Sequence, residues 1–204
     1  MDTPVYPGYP QPLRTTFSNI REHGYNSFIW VLAEHTSTHV DAPIHMVEGG
    51  TTVDRMPLSH YVGEGIVLDF SKRPPRFEIT KKDLVAALLT AGYRSKDGKG
   101  RILLFYVGYS RKDRTDEWLK HPGLDEESAK HIVQMKFSAI GFDAPGPDRA
   151  PFAAHKILLP EGIVIYENLA NLEKVIGKRF LFVGTPLGLV GGSASPCRPV
   201  ALLA

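Results

Sequence analysis

The chain has 204 residues, 43% of them hydrophobic and 23% charged, with a formal net charge of +2. This length suits one domain over residues 1–204 with a sizeable core, and the near-neutral charge offers no strong field to nucleic acid. The single cysteine, Cys197, excludes an internal disulfide and a thiolate metal cage, and no apolar run approaches a membrane span.

The chain opens on Met1-Asp2-Thr3-Pro4, with neither a basic start nor an apolar stretch, so no signal peptide and a cytoplasmic location are expected. Residues 1–26 carry Pro4, Pro7, Pro10 and Pro12, each without a backbone donor, and are expected to form an extended arm with turns. Residues 27–33 are apolar, aromatic and β-branched, which reads as a strand buried on both faces with Phe28 and Trp30 in the core. Residues 65–70 read as a further strand. Thr80-Lys81-Lys82-Asp83 resembles a capping box and opens a helix through the apolar-periodic residues 84–89.

Residues 102–109 form a strongly apolar strand. The basic stretches 72–76 and 111–114 are short and read as solvated loops. Asp125 is suited to cap a helix through Met135 that buries Ala129, Ile132, Val133 and Met135. Residues 138–143 form a strand running into the turn Ala144-Pro145-Gly146-Pro147-Asp148, where Asp143 either lines a site or shapes the turn. Pro151 suits the first turn of a helix through Leu159 that Gly162 closes. Residues 163–167 and 180–184 complete the strands. The glycine-rich stretch 188–195 lacks the lysine of a phosphate loop and reads as a tight or substrate-facing turn. Cys197 has no histidine nearby to activate it and reads as a packing residue. This alternation implies an α/β protein with helices outside a barrel-like, strongly twisted sheet.

Three of the eight histidines, His35, His39 and His45, fall within eleven residues, with Asp41 among them. Imidazole is the commonest side-chain metal ligand and the usual base near neutral pH, so this crowding points to a metal-assisted site. In an extended chain His35, His39 and Asp41 share one face; a short turn through Ser37 would also let the two histidines converge on one ion. Pro43 stops any regular ladder, and His45, beyond that kink, is placed to take a proton from water. His155 in the helix after Pro151 and Glu167 at the end of the next strand return towards each other. Three imidazoles and two carboxylates suit one or two divalent ions of the Zn or Mn type.

His35-Thr36-Ser37-Thr38-His39-Val40-Asp41-Ala42-Pro43-Ile44-His45 resembles the H-x-G-T-H-x-D-x-P-x-H signature of the metal-dependent cyclase family, which includes bacterial kynurenine formamidases and isatin hydrolases. The likeness covers nearly the whole chain. Pro4-Val5-Tyr6-Pro7-Gly8 resembles the family's N-terminal arm, Gly141-Phe142-Asp143-Ala144-Pro145 its G-I-D-x-P, and Gly191-Gly192-Ser193-Ala194-Ser195-Pro196-Cys197-Arg198 its closing G-x-x-x-S-P-x-R. Carried over residue by residue, the resemblance implies that His35, His39 and Asp41 form one metal group. It implies that His155 and Glu167 complete a second in two-metal members, and that His45 is the catalytic acid/base.

The resemblance further implies a swivelling β/β/α fold, a homodimer or homotetramer, and a small-molecule substrate. The implied activity is metal-dependent hydrolysis of a carbon–nitrogen amide bond, in an N-formyl amine such as an aryl formamide or in a cyclic amide. The same machinery would serve a lactone or ester, and a member without turnover would only bind metal or ligand; the intact set of six residues favours an enzyme. Two positions depart from the pattern. Ser37 stands where the family usually has glycine, which costs strain if the backbone there needs positive φ. Tyr6 stands where the formamidases tend to carry tryptophan.

Overall fold

The computed structural model describes residues 5–94, 98–112 and 115–203; residues 1–4 of the arm and Asp113 and Arg114 of the second basic stretch lie outside them. β1 (Leu13–Ser18) and β2 (Ser27–Val31) form an antiparallel hairpin around a one-turn helix, α1 (Ile20–His23). Next come β3 (His39–Asp41), β4 (Val62–Asp69), β5 (Glu78–Ile79), α2 (Lys81–Thr90), β6 (Arg101–Tyr106), β7 (Gly123–Leu124) and α3 (Glu126–Met135). β8 (Ala139–Phe142), α4 (Ala153–Leu158), β9 (Val164–Glu167), β10 (Phe180–Val183), β11 (Ala194–Pro196) and β12 (Val200–Leu203) follow.

Eight strands make one mixed sheet in the order β11-β3-β9-β8-β6-β4-β10-β12. Its middle, β9-β8-β6-β4, is parallel, and both wings are antiparallel. A bridge between Pro186, beyond β10, and Cys197, beyond β11, draws the two wings together, so the sheet curls into a half-barrel. This is the α/β, barrel-like sheet with outer helices that the alternating pattern implied.

Side-chain alternation on the strands divides the core between the two faces of the sheet. Leu103, Phe105, Ile140, Phe142 and Ile165 pack with Leu84 and Leu88 of α2, Ala129, Ile132 and Met135 of α3, and Ala154 and Leu158 of α4. Ile102, Leu104, Val164 and Tyr166 point the other way and fill the concave side with Tyr61, Phe180 and Phe182. Helix starts follow local chemistry. Thr80 and Asp83 form the expected capping box, and the Asp125 carboxylate accepts the Ser128 N–H at 2.7 Å. α4 begins at Ala153, two residues after Pro151, and runs into a 3-10 turn (Leu159–Glu161) closed by Gly162 in the left-handed region.

Four expectations need correction. The 27–33 strand is not buried: β2 pairs only with β1, leaving Phe28 40% and Trp30 46% exposed. A run of apolar residues reports an appetite for cover without saying whether this chain supplies it. The arm is not wholly irregular, because β1 and α1 lie inside it; Asn19 caps α1 by accepting the Glu22 N–H. The strand list lacked β3, β11 and β12, which are too short to show periodicity and exist through pairing with distant partners. The strand over 102–109 also ends early. Asp143 accepts the N–H groups of Val107, Gly108 and Tyr109 at 2.6, 3.0 and 3.1 Å, so it is the turn former and not a wall of the site.

Candidate metal centre

The antiparallel register of β3 on β9 sets His39 directly opposite Glu167. Ahead of β3 the chain turns through Ser37, whose φ of 62° is left-handed. Of the two geometries open to the sequence, the turn is the one adopted. It folds His35 back to 5.2 Å from His39, ring centre to ring centre. Serine there costs about 1–2 kcal/mol that glycine would avoid. The Ser37 carbonyl accepts a hydrogen bond from His39 Nδ1 at 2.8 Å and from the Asn168 amide at 3.3 Å, and so pins the turn to the end of β9.

The remaining nitrogens and carboxylate oxygens converge. His35 Nδ1 lies 2.8 Å from Asp41 Oδ1, and His39 Nε2 lies 3.4 Å from both Asp41 Oδ1 and Glu167 Oε2. α4 brings His155 Nε2 to 3.2 Å from Glu167 Oε1 and 3.8 Å from Asp41 Oδ2. Candidate donor atoms of His35, His39 and Asp41 lie within 4.8 Å of one another, as do those of Asp41, His155 and Glu167. Asp41 is therefore common to two three-residue groups. His39 Nε2 and both Asp41 oxygens are buried without a well-aligned hydrogen bond. Each such atom costs about 1–3 kcal/mol, a cost that a divalent ion among them would remove. Imidazole and carboxylate donors at this spacing could hold one or two such ions, so the residues fit the group that the resemblance implies.

Charge follows the same geometry. Burial lowers the pKa of His39, but Asp41 and Glu167 overcome it and raise the imidazole to about 9. Burial likewise opposes, and Asp148 and Glu167 outweigh it, to raise His155 to about 10. Burial would raise Asp41, yet His35 and His39 hold it well below the usual carboxylate range. Metal ions entering this cluster would displace protons, so their affinity rises with pH.

His45 differs. Pro43 ends β3 and starts a 3-10 turn (Pro43–His45) that swings its ring to 4.2 Å from His35 and 6.2 Å from His155, ring centre to ring centre. His45 belongs to neither donor group. Burial, opposed by Asp41 and aided by His35 and His155, lowers its pKa, so it is neutral at pH 7 and free to accept a proton.

These groups open on a cavity of about 380 Å³. Tyr6, Tyr9, Trp118 and Phe152 wall it, with Tyr9 edge-on to His35 at 5.6 Å and Phe152 edge-on to His155 at 5.7 Å. The arm thus rims the site of its own chain. Trp118, Phe152 and Asp148 were not legible as parts of this site, because loop packing places them, whereas Asn168 directly follows Glu167 at the end of β9. Cys197 is away from this cavity, and burial raises its thiol to about 12, as befits a packing residue.

Residues 1–149 match the model of the cyclase family, described as "Putative cyclase". The chain belongs to that family. A kynurenine formamidase of Salinibacter ruber is 30% identical over 205 residues, covering 97% of this chain and 91% of its own length. An isatin hydrolase of Roseibium aggregatum is 28% identical over 202 residues, covering 86% of this chain and 75% of its own. A solved structure from Bacillus stearothermophilus, described as a "predicted metal-dependent hydrolase", is 32% identical with a TM-score of 0.78, covering 98% and 91% of the two chains. Within the cyclase family this chain is a metal-dependent hydrolase, with the expected curled sheet.

Proposed function

We propose that this cyclase-family hydrolase cleaves a carbon–nitrogen amide bond, in an N-formyl amine such as an aryl formamide or in a cyclic amide. In this reading one or two Zn(II) or Mn(II) ions are held by His35, His39, Asp41, His155 and Glu167. The observation that carries it is the pair of donor groups meeting at the buried, unsatisfied Asp41, with a neutral His45 beside them. When bound, such ions supply Lewis acidity, lowering the pKa of a water and polarising a carbonyl.

The chain's own residues do the rest. His45 accepts the proton of the attacking water and returns it to the departing nitrogen, so the amine leaves uncharged. Tyr6, Tyr9, Trp118 and Phe152 offer ring faces and edges to a planar aromatic amide. The names of the relatives, a formamidase and an isatin hydrolase, support both forms of the substrate.

A homodimer or homotetramer in the cytoplasm completes the reading. Leu13, Phe17, Phe28, Ile29, Trp30 and Val31 are all exposed on the β1–β2 hairpin, an apolar surface that a second copy would cover. Among the described residues no helix is long and apolar enough to cross a membrane.

The test is hydrolysis of an N-formyl arylamine, isatin and an aryl ester by protein loaded with Zn(II) or Mn(II). Amide turnover that a chelator abolishes and added metal restores is the expected result. Turnover indifferent to metal, or of the ester alone, refutes the proposal.

A further inference from the structure

The three imidazoles of the centre are oriented by different partners on their far sides. His39 Nδ1 donates to the Ser37 carbonyl, and His35 Nε2 lies 3.3 Å from the Ser193 hydroxyl. His155 alone has a carboxylate: Asp148 Oδ1 lies 2.6 Å from His155 Nδ1. Asp148 is only 7% exposed, and its other oxygen accepts the N–H groups of Ala154 and His155 at 2.6 and 3.2 Å. Phe152, at the cap position of α4, supplies no side-chain acceptor, so Asp148 takes that part from outside the helix.

One side chain thus fixes both the start of α4 and the rotation of the ring it carries. With Nδ1–H committed to Asp148, it is His155 Nε2 that faces Glu167 and Asp41 and offers its lone pair once an ion displaces its proton. Gly146, with φ of 114°, lets the same loop pass close beneath: a Cβ there would sit 2.9 Å from Glu167 Oε1 and 3.2 Å from His155 Cε1.

We infer that Asp148 is a positioning residue for the metal centre, holding His155 in the tautomer and rotation that ligate an ion of the Asp41–His155–Glu167 group. This rests on the metal centre proposed above. A carboxylate behind a ligating imidazole raises its basicity and locks its direction, and loss of such partners typically weakens metal binding 10–100-fold. The His35–His39–Asp41 group has neutral partners of its own and does not depend on Asp148.

Chelator-competition titrations of Zn(II) on the full chain test this. Asp148→Asn keeps an oxygen for the α4 N–H groups and removes the charge; Asp148→Ser is a second, smaller variant if the first fails to fold. The expected result is a 10–100-fold weaker ion of the His155 group and an unchanged second ion. In a His155→Ala background the same substitution should cause no further loss, because its effect runs through that ring. Unaltered binding in Asp148→Asn, or an equal loss with and without His155, overturns the assignment. A parent chain that binds no metal at all would instead overturn the centre itself, a distinguishable outcome.

Discussion

His121 offers a quantitative test of burial in the loop beneath the arm. The residue is 2% exposed, stands edge-on to Tyr109 at 6.3 Å, and has Nδ1 2.9 Å from the Pro122 carbonyl oxygen. Burial, opposed by the Pro122 carbonyl and aided by Arg149, pushes its pKa down to about 4. In the unfolded chain the value returns to about 6.5. The unfolded state therefore takes up the proton first as pH falls. Stability is complete above about pH 6.5 and is lost progressively towards pH 4. The loss reaches about 2 kcal/mol at pH 5 and about 3 kcal/mol near pH 4, a sizeable share of a total of about 5–15 kcal/mol. His121→Gln cannot take the proton and keeps an amide donor for the Pro122 carbonyl. In urea titrations, the parent's unfolding free energy should fall between pH 7 and pH 5 by about 2 kcal/mol more than the variant's. Other titrating groups cancel in that difference. Equal pH slopes for the two proteins would refute the buried, neutral imidazole.

Three further outcomes follow from the site. His39→Ala removes the nitrogen that faces both carboxylates, and elemental analysis should show most of the bound metal gone. His45→Ala should retain its metal while turnover drops by roughly 10²–10⁴-fold; loss of metal along with activity would make His45 a ligand instead. Light scattering after size exclusion should give at least twice the chain mass of 22.6 kDa at micromolar concentration, and a monomer would leave the β1–β2 hairpin genuinely exposed.

Local chemistry carried much of the fold. Capping at Thr80 and Asp125 needs only neighbours three residues away, and both helices begin where those residues stand. The parallel strands β4, β6 and β8 were visible as continuous apolar runs because both their faces are covered. The donor cluster from His35 to His45 was visible for the same reason, being crowded within one short segment. Where evidence was not local, the reading failed or stayed open. β2 has the composition of a core strand and lies at the surface, and the short β11 and β12 carry no period of their own.

What the residue order establishes is therefore a set of candidate donors, a further histidine beyond a proline, and elements of roughly known length. Tertiary structure alone decided how they meet. The choice between strand and turn at Ser37 was settled by the need to join Asn168 and β9 while folding His35 over His39. The β3–β9 register set His39 against Glu167, and a buried loop delivered Asp148 to the back of His155. Such contacts depend on pairing and packing between segments far apart in the chain, and side-chain periodicity, which records only whether a face is apolar, carries no information about its partner.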